Sequence, residues 1–272
     1  MTSINTNVGS LNSRKSALAS TELMQKAMER LSSGLRINSA SDDAAGLAVA
    51  GKMEAQLRGI NMGIRNNQDA IGLIQTAEAG LNEIRNMVLR IRELAVQMAN
   101  GIYEDTPDRD NAQLEVAALK EQVNLIADYT RFNDINLLNG SFTSVDIQAG
   151  NTTGETITVS IDDMGASGLS INGASVSTQS NASTAITTMD TALETIATEQ
   201  ATLGSLINRF NFSINNLSKA SVTTEQAVGR IMDADFATET TNLSKQQILN
   251  QAATSMLAQA NQSKQSILAL LQ

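Results

Sequence analysis

The residues of this chain whose types and spacing suggest chemistry are its paired carboxylates. Those that could be proposed to act together include Asp42-Asp43 after Ser41, Asp162-Asp163, and Asp233 with Asp235. Neighbouring acids can chelate a divalent cation or divide general acid and general base duties between them. Their commoner role near a helix start is to complement the positive end of the dipole, and that is the expectation for Asp42-Asp43 and for Asp233/Asp235. The 272 residues include no His and no Cys. That removes an imidazole base, a thiolate nucleophile, an ordinary zinc site and any disulfide. The carboxylates therefore have no complementary partners, and the sequence predicts no catalytic residues, no cofactor and no metal.

The composition describes the elements that would hold such residues. There is one Pro, no Trp, two Tyr and five Phe. Few aromatics and almost no Pro fit long helices packed through small and aliphatic side chains. A net charge of −9 argues against tracking a phosphate backbone, so no nucleic-acid partner is expected. No stretch approaches the roughly 18 apolar residues of a membrane span, so no membrane insertion is expected. The opening Met1-Thr-Ser-Ile-Asn-Thr-Asn-Val8 lacks the basic and apolar regions of a secretory signal peptide. If the chain is exported, a different machine must carry it.

Hydrophobic spacing of alternately three and four residues runs through Leu57, Ile60, Ile64, Asn67, Ile71, Ile74, Glu78, Leu81, Ile84, Val88, Ile91, Ala95 and Met98. Such a seam predicts a long helix in coiled-coil-like packing, roughly 63 Å from end to end. A second seam takes in Ile186, Met189, Leu193, Ile196, Gln200, Leu203, Ile207, Phe210, Ile214 and Leu217. Between them a shorter helix presents Ala112, Val116, Leu119, Val123 and Ile126 on one face. Asn100-Gly101 offers a stop for the first helix. Thr106 as N-cap, Pro107 at the first turn and Asp108 beside the dipole predict the start of the next. These three helices form an antiparallel bundle.

Residues 139–182 break the helical pattern. Val145-Asp-Ile147 and Thr156-Ile-Thr-Val-Ser-Ile161 alternate like strands around Gly150-Asn-Thr-Thr-Gly154, which predicts a β-hairpin leaning on the bundle. The Ser/Thr/Asn/Gly-rich stretch that follows is expected to be exposed.

The two ends share one composition, poor in charge and rich in Ala, Ser, Asn, Gln and Leu. Leu11, Leu18, Met24, Met28, Leu31 and Leu35 mark one predicted face near the start. Leu249, Ala252, Met256, Ala260, Ser263, Ile267 and Leu270 mark another near the end. Neither could bury its stripe alone. Either the ends pack within the subunit, or they stay unfolded until an assembly takes them in, and the polar content favours the second. Leu11, Leu18, Leu31, Leu35, Leu249, Ala252, Met256, Ile267 and Leu270 are the candidate assembly seam.

Specific wording begins at Glu29-Arg-Leu-Ser-Ser-Gly-Leu-Arg-Ile-Asn-Ser-Ala40, followed by Ser41-Asp-Asp-Ala-Ala-Gly-Leu-Ala48. It continues through Asn67-Gln-Asp-Ala-Ile71, Gln75-Thr-Ala-Glu-Ala-Gly-Leu-Asn-Glu-Ile84 and Arg90-Ile-Arg-Glu-Leu-Ala-Val-Gln97. Near the end come Asn215-Asn-Leu-Ser218, Arg230-Ile-Met-Asp-Ala-Asp-Phe236 and Met256-Leu-Ala-Gln-Ala-Asn261. In order and wording these stretches resemble the bacterial flagellin family, across residues 1–140 and 185–272. The short middle resembles a flagellin without the large variable outer domains.

The resemblance implies a mainly α, flagellin-like fold: a long antiparallel helical bundle and coiled coil with a small β-hairpin region. It implies that residues 1–42 and 231–272 pair as the inner, channel-lining coiled coil, while 43–230 form the outer-tube bundle. The implied function is a structural subunit of the extracellular flagellar filament, secreted by type III export without a cleaved signal peptide. Implied partners are further copies of the chain, the flagellar cap and hook-associated proteins, and an export chaperone that clasps the stripe of Leu243, Leu249, Met256, Leu257 and Leu268. The family is also read by a host Toll-like receptor, whose contact positions match Arg90, Leu94 and Glu115 here; Leu89 stands where the family commonly has Gln. The alternatives are a hook–filament junction protein or a soluble coiled-coil adaptor.

Overall fold

The computed structural model describes residues 6–269, of which the ends form one compact unit (residues up to Leu57 and from Val222 on) and Arg58–Ser221 a second. Its elements are α1 (Val8–Ser33), α2 (Ala44–Met98), α3 (Asp110–Tyr129), β1 (Arg131–Phe132), β2 (Ile135–Asn136), β3 (Val145–Gln148), β4 (Thr156–Val159), α4 (Gln179–Met232) and α5 (Phe236–Ala269). α2 and α4 contribute residues to both units.

In the central unit α2 and α4 run antiparallel. As residue numbers rise along α2, those of the partners in α4 fall: Asn61 bonds Ser221, Asn67 bonds Ser213, Asn82 bonds Gln200, and Arg92 bonds Asp190. The three-four rhythm is as expected, but several of its members differ. α2 buries Gly63, Ala70 and Ala77 where bulk alone had suggested Ile64, Ile71 and Glu78. α4 likewise buries Ala185, Ala192, Glu199 and Leu206 in place of Ile186, Leu193, Gln200 and Ile207. Small residues let other backbone come close: a Cβ on Gly63 would lie 3.0 Å from the Ala149 carbonyl oxygen. Side chains one position along then pack at the flank of the seam, which is why Ile71, Ile186, Leu193 and Ile207 are partly buried.

The start of α3 corrects the capping expectation. Thr106 is extended and does not cap, and the regular helix begins at Asp110. The preceding turn is organised instead by the buried guanidinium of Arg109. It donates to the carbonyls of Met98 (2.9 Å), Tyr103 (2.6 Å) and Asn100 (2.9 Å) and to Asp105 (2.7 Å). One side chain satisfies carbonyls at the end of α2 and in the turn together, and with Thr106 held extended the regular helix starts only after Arg109.

Two hairpins follow α3. In β1–β2, Asn133 and Asp134 both hold positive φ (49° and 61°), the geometry a two-residue hairpin turn needs and that Asn and Asp tolerate best. β3 pairs with β4 in the register Val145↔Val159 to Gln148↔Thr156, as the alternation predicted. The stretch after β4 is not the exposed loop expected from its composition. It buries Ile161, Met164, Ala166, Leu169, Ile171, Ala174 and Val176. Its backbone is met by polar side chains of α3: Asn124 accepts from Ala166 N–H (2.8 Å), Gln113 from Val176 N–H (2.7 Å), and Lys120 donates to the carbonyls of Asn172 and Ala174. Burial of an irregular segment is tolerable because those groups are satisfied.

In the terminal unit, α1 starts on an Asn7 cap, whose Oδ1 accepts from Ser10 N–H, and stops at Gly34 with φ 72°. The chain then ties to the end of α4: Arg36 N–H donates to Met232 and Ala234 N–H to Gly34. Asp43 accepts from Gly46 N–H and Asp235 from Ala237 and Thr238 N–H, so these acids cap α2 and α5. Asp42 accepts from Lys26 at 2.6 Å and from the N–H groups of Asn38 and Ser39. The Lys26 ammonium, helped by those amides, holds its carboxyl well below the usual carboxylate range.

Candidate assembly interface

α1 and α5 pair antiparallel within the chain, with Cα atoms of the two helices inside 8 Å of each other. Of the two alternatives for the ends, this is packing within the subunit. The residues that α1 turns inward are Ser10, Ser13, Ala17, Ser20, Met24, Ala27 and Leu31. From α5 come Glu239, Leu243, Gln246, Asn250, Ala253, Leu257 and Ala260. Both series step alternately by three and four, the signature of a coiled-coil seam, and most members are small or polar. Small side chains permit the close approach.

Polar bonds fix the register along that seam. Asn7 Nδ2 donates to the Ala260 carbonyl (3.0 Å), and Asn250 Nδ2 donates to Thr21 Oγ1 (2.7 Å) and the Ala17 carbonyl (3.3 Å). At the other end Arg30 donates to Glu239 at 2.8 Å, with Glu239 buried. Partly buried polar pairs of this kind penalise any slip of one helix past the other, since a shift would leave them unmatched.

The large apolar residues singled out in the sequence divide around this seam. Leu31 and Leu35 are half-buried. Leu11, Leu18, Leu249, Ala252 and Met256 are exposed, so the stripe drawn through them is not the seam of the pair. The α5 seam runs one residue further along, through Asn250, Ala253 and Leu257. Val8, Leu23 and Met28 on α1 and Phe236 and Ile248 on α5 are exposed as well. Of the chaperone candidates, Leu243 and Leu257 are half-buried, and Leu249 and Met256 are exposed. Leu270 lies outside the described residues, as do the side chains of Ile267 and Leu268. The signal that could have found the true seam was the repeat of Ser and Ala in α1, which a search for bulky residues passes over.

In the central unit Arg90 on α2 and Glu115 on α3 meet at 2.9 Å, and Arg90 also reaches Glu93 at 3.2 Å. Glu115 first, then Glu93, raises the Arg90 guanidinium further above its ordinary value. Both partners are exposed and adjacent. Leu94 is different: it is 4% exposed and belongs to the bundle core, so the subunit does not present it as an apolar anchor. It lies one helical turn beyond Arg90, where α2 turns inward.

The model of the bacterial flagellin N-terminal helical region matches residues 4–143, and that of the C-terminal helical region matches 186–271. A flagellin of Halalkalibacterium halodurans is 41% identical, the alignment spanning 98% of this chain and 99% of that one. The chain belongs to the bacterial flagellin family. A Bacillus subtilis flagellin is 38% identical over 98% of this flagellin and 99% of the relative. The crystal structure of Bacillus cereus flagellin shares 35% identity with a TM-score of 0.51, covering 56% of this flagellin and 88% of that chain. Near-complete coverage in both directions agrees with a short flagellin lacking large outer domains. Among the described residues, no helix is long and apolar enough to cross a membrane.

Proposed function

We propose that this flagellin polymerises by burying the outward apolar faces of α1 and α5 against neighbouring copies. It is a structural subunit of the bacterial flagellar filament. The observation that supports the mode of assembly is the division of the terminal helices. Their seam is closed internally by small residues, yet Leu11, Leu18, Met28, Ile248 and Met256 stay in water. So much exposed apolar surface on one helical pair marks an interaction site. Contacts between different patches of identical chains do not close on themselves, so they propagate as an open helix.

In this reading residues 1–42 and 231–272 form the inner, channel-lining layer and 43–230 the surrounding tube. The outward α5 residues Leu249 and Met256 suit capture by an export chaperone before assembly, an amphipathic helix laid in an apolar groove. Export without a cleaved signal peptide, addition beneath a cap and attachment through hook-associated proteins belong to the same proposal, and no catalytic step is assigned. A host Toll-like receptor would meet Arg90 and Glu115 as a surface ion pair. Leu94 would act beneath them, by holding α2 in place.

The test is negative-stain electron microscopy of purified subunits given short flagellar fragments as seeds. Long uniform filaments are expected. Persistent monomers or small closed oligomers, with seeds competent toward another flagellin, would refute the proposal in favour of a junction or adaptor protein.

A further inference from the structure

α4 buries a continuous three-four series from Ala182 to Phe210, and one member carries a carboxyl group. Glu199 sits between Ile196 and Leu203 at a core position and is only 7% exposed. Its Oε1 is buried without a hydrogen-bond partner. The hydroxyls nearby are already committed, Thr195 donating to the Thr191 carbonyl and Thr198 to that of Glu194. Glu199 lines a cavity of about 280 Å³ with Asp162, Met164 and Glu194. The charged groups facing it are thus Asp162, on the connection after β4, and Glu194 on its own helix; no Lys or Arg is among the groups that act on it.

A carboxylate held there is opposed first by burial and then by the like charge of Asp162, with only the Asp162 backbone amide in compensation. Its proton is therefore retained above the ordinary value of 4.5. A proton would remove the buried charge and also supply an O–H donor that the cavity lacks. We propose that Glu199 and Asp162 form a proton-operated tie. The protonated Glu199 carboxyl donates to the Asp162 carboxylate and holds the connection after β4 against α4, and loss of the proton sets two like charges face to face and loosens that contact.

The sign of the linkage follows. Because the folded state holds the proton more tightly than the unfolded chain, the stabilisation is complete below 4.5 and is lost as pH rises through the folded-state value. The test is a carboxyl-carbon NMR titration of the full-length subunit with labelled glutamate, the Glu199 signal being assigned from Glu199→Gln. Glu199 is expected to titrate at higher pH than the exposed glutamates. Backbone exchange at 162–171, corrected for its intrinsic pH dependence, should quicken on the alkaline side of that midpoint in the native chain and not in Glu199→Gln. Asp162→Asn should move the midpoint down toward the ordinary value. Should Glu199→Gln fail to fold, the Asp162→Asn titration decides alone, since the glutamate whose midpoint moves is the coupled one. Titration of every glutamate together, or a midpoint indifferent to Asp162→Asn, would overturn the tie.

Discussion

Replacing Leu18 by Ala separates the inside of the terminal pair from its outside. Leu18 is 62% exposed in the subunit, so more than half of its surface remains to be buried by a neighbour. Burying a whole leucine side chain is worth about 1.5–3 kcal/mol, which leaves roughly 1–2 kcal/mol to be gained on assembly. Since each 1.4 kcal/mol is about tenfold, losing it should raise the critical concentration for elongation roughly five- to thirty-fold. The subunit itself should scarcely notice, with a stability change within about 0.5 kcal/mol, as at other surface sites. The assay is sedimentation of seeded filaments across a concentration series, paired with urea unfolding of the monomer. An unchanged critical concentration in a normally stable variant would show that no neighbour covers this face. A large loss of monomer stability would show that Leu18 is internal and the seam is misassigned.

The seam itself is tested by enlarging Ala27, which is buried between the two helices. Ala27→Leu should cost about 1–3 kcal/mol by overpacking, visible as faster hydrogen exchange in α1 and α5 with exchange at Ile74–Val88 unchanged. Arg109→Met strips the α2–α3 turn of a donor to three carbonyls; urea unfolding should report a loss of about 3–5 kcal/mol, and a loss below about 1 kcal/mol would mean water replaces the guanidinium. Asp42, depressed by Lys26, contributes stability that is present above its ordinary value of 3.8 and lost as pH falls below it. Thermal melts of Asp42→Asn across acid pH should accordingly show a shallower acid loss than the native chain.

The physics of the acid-lined cavity and of the terminal pair shares one source. Both lie where a three-four seam admits residues that a hydrophobic scan discounts. Glu199 falls in the rhythm of Ile196 and Leu203, where the sequence spacing predicts Gln200. Ser20 and Ala27 fall in the rhythm of Met24 and Leu31, while the bulkier Leu18 and Met28 face outward. Bulk announces itself in a sequence, whereas closeness of approach depends on what the opposite helix offers.

By itself the amino-acid sequence determined the rods, their antiparallel order, the β3–β4 hairpin and the family. Each of these rests on local periodicity, turn residues or long stretches of shared wording, which need no knowledge of a partner surface. Only the tertiary structure decided which face of each terminal helix is the seam, because a helix with apolar residues on two sides can bury either. It alone placed Leu94 in the core and drew the 160–176 connection inward, since that burial depends on Gln113, Lys120 and Asn124 meeting its backbone. It also set Asp162 against Glu199, a pairing of residues far apart in the chain that no local pattern encodes.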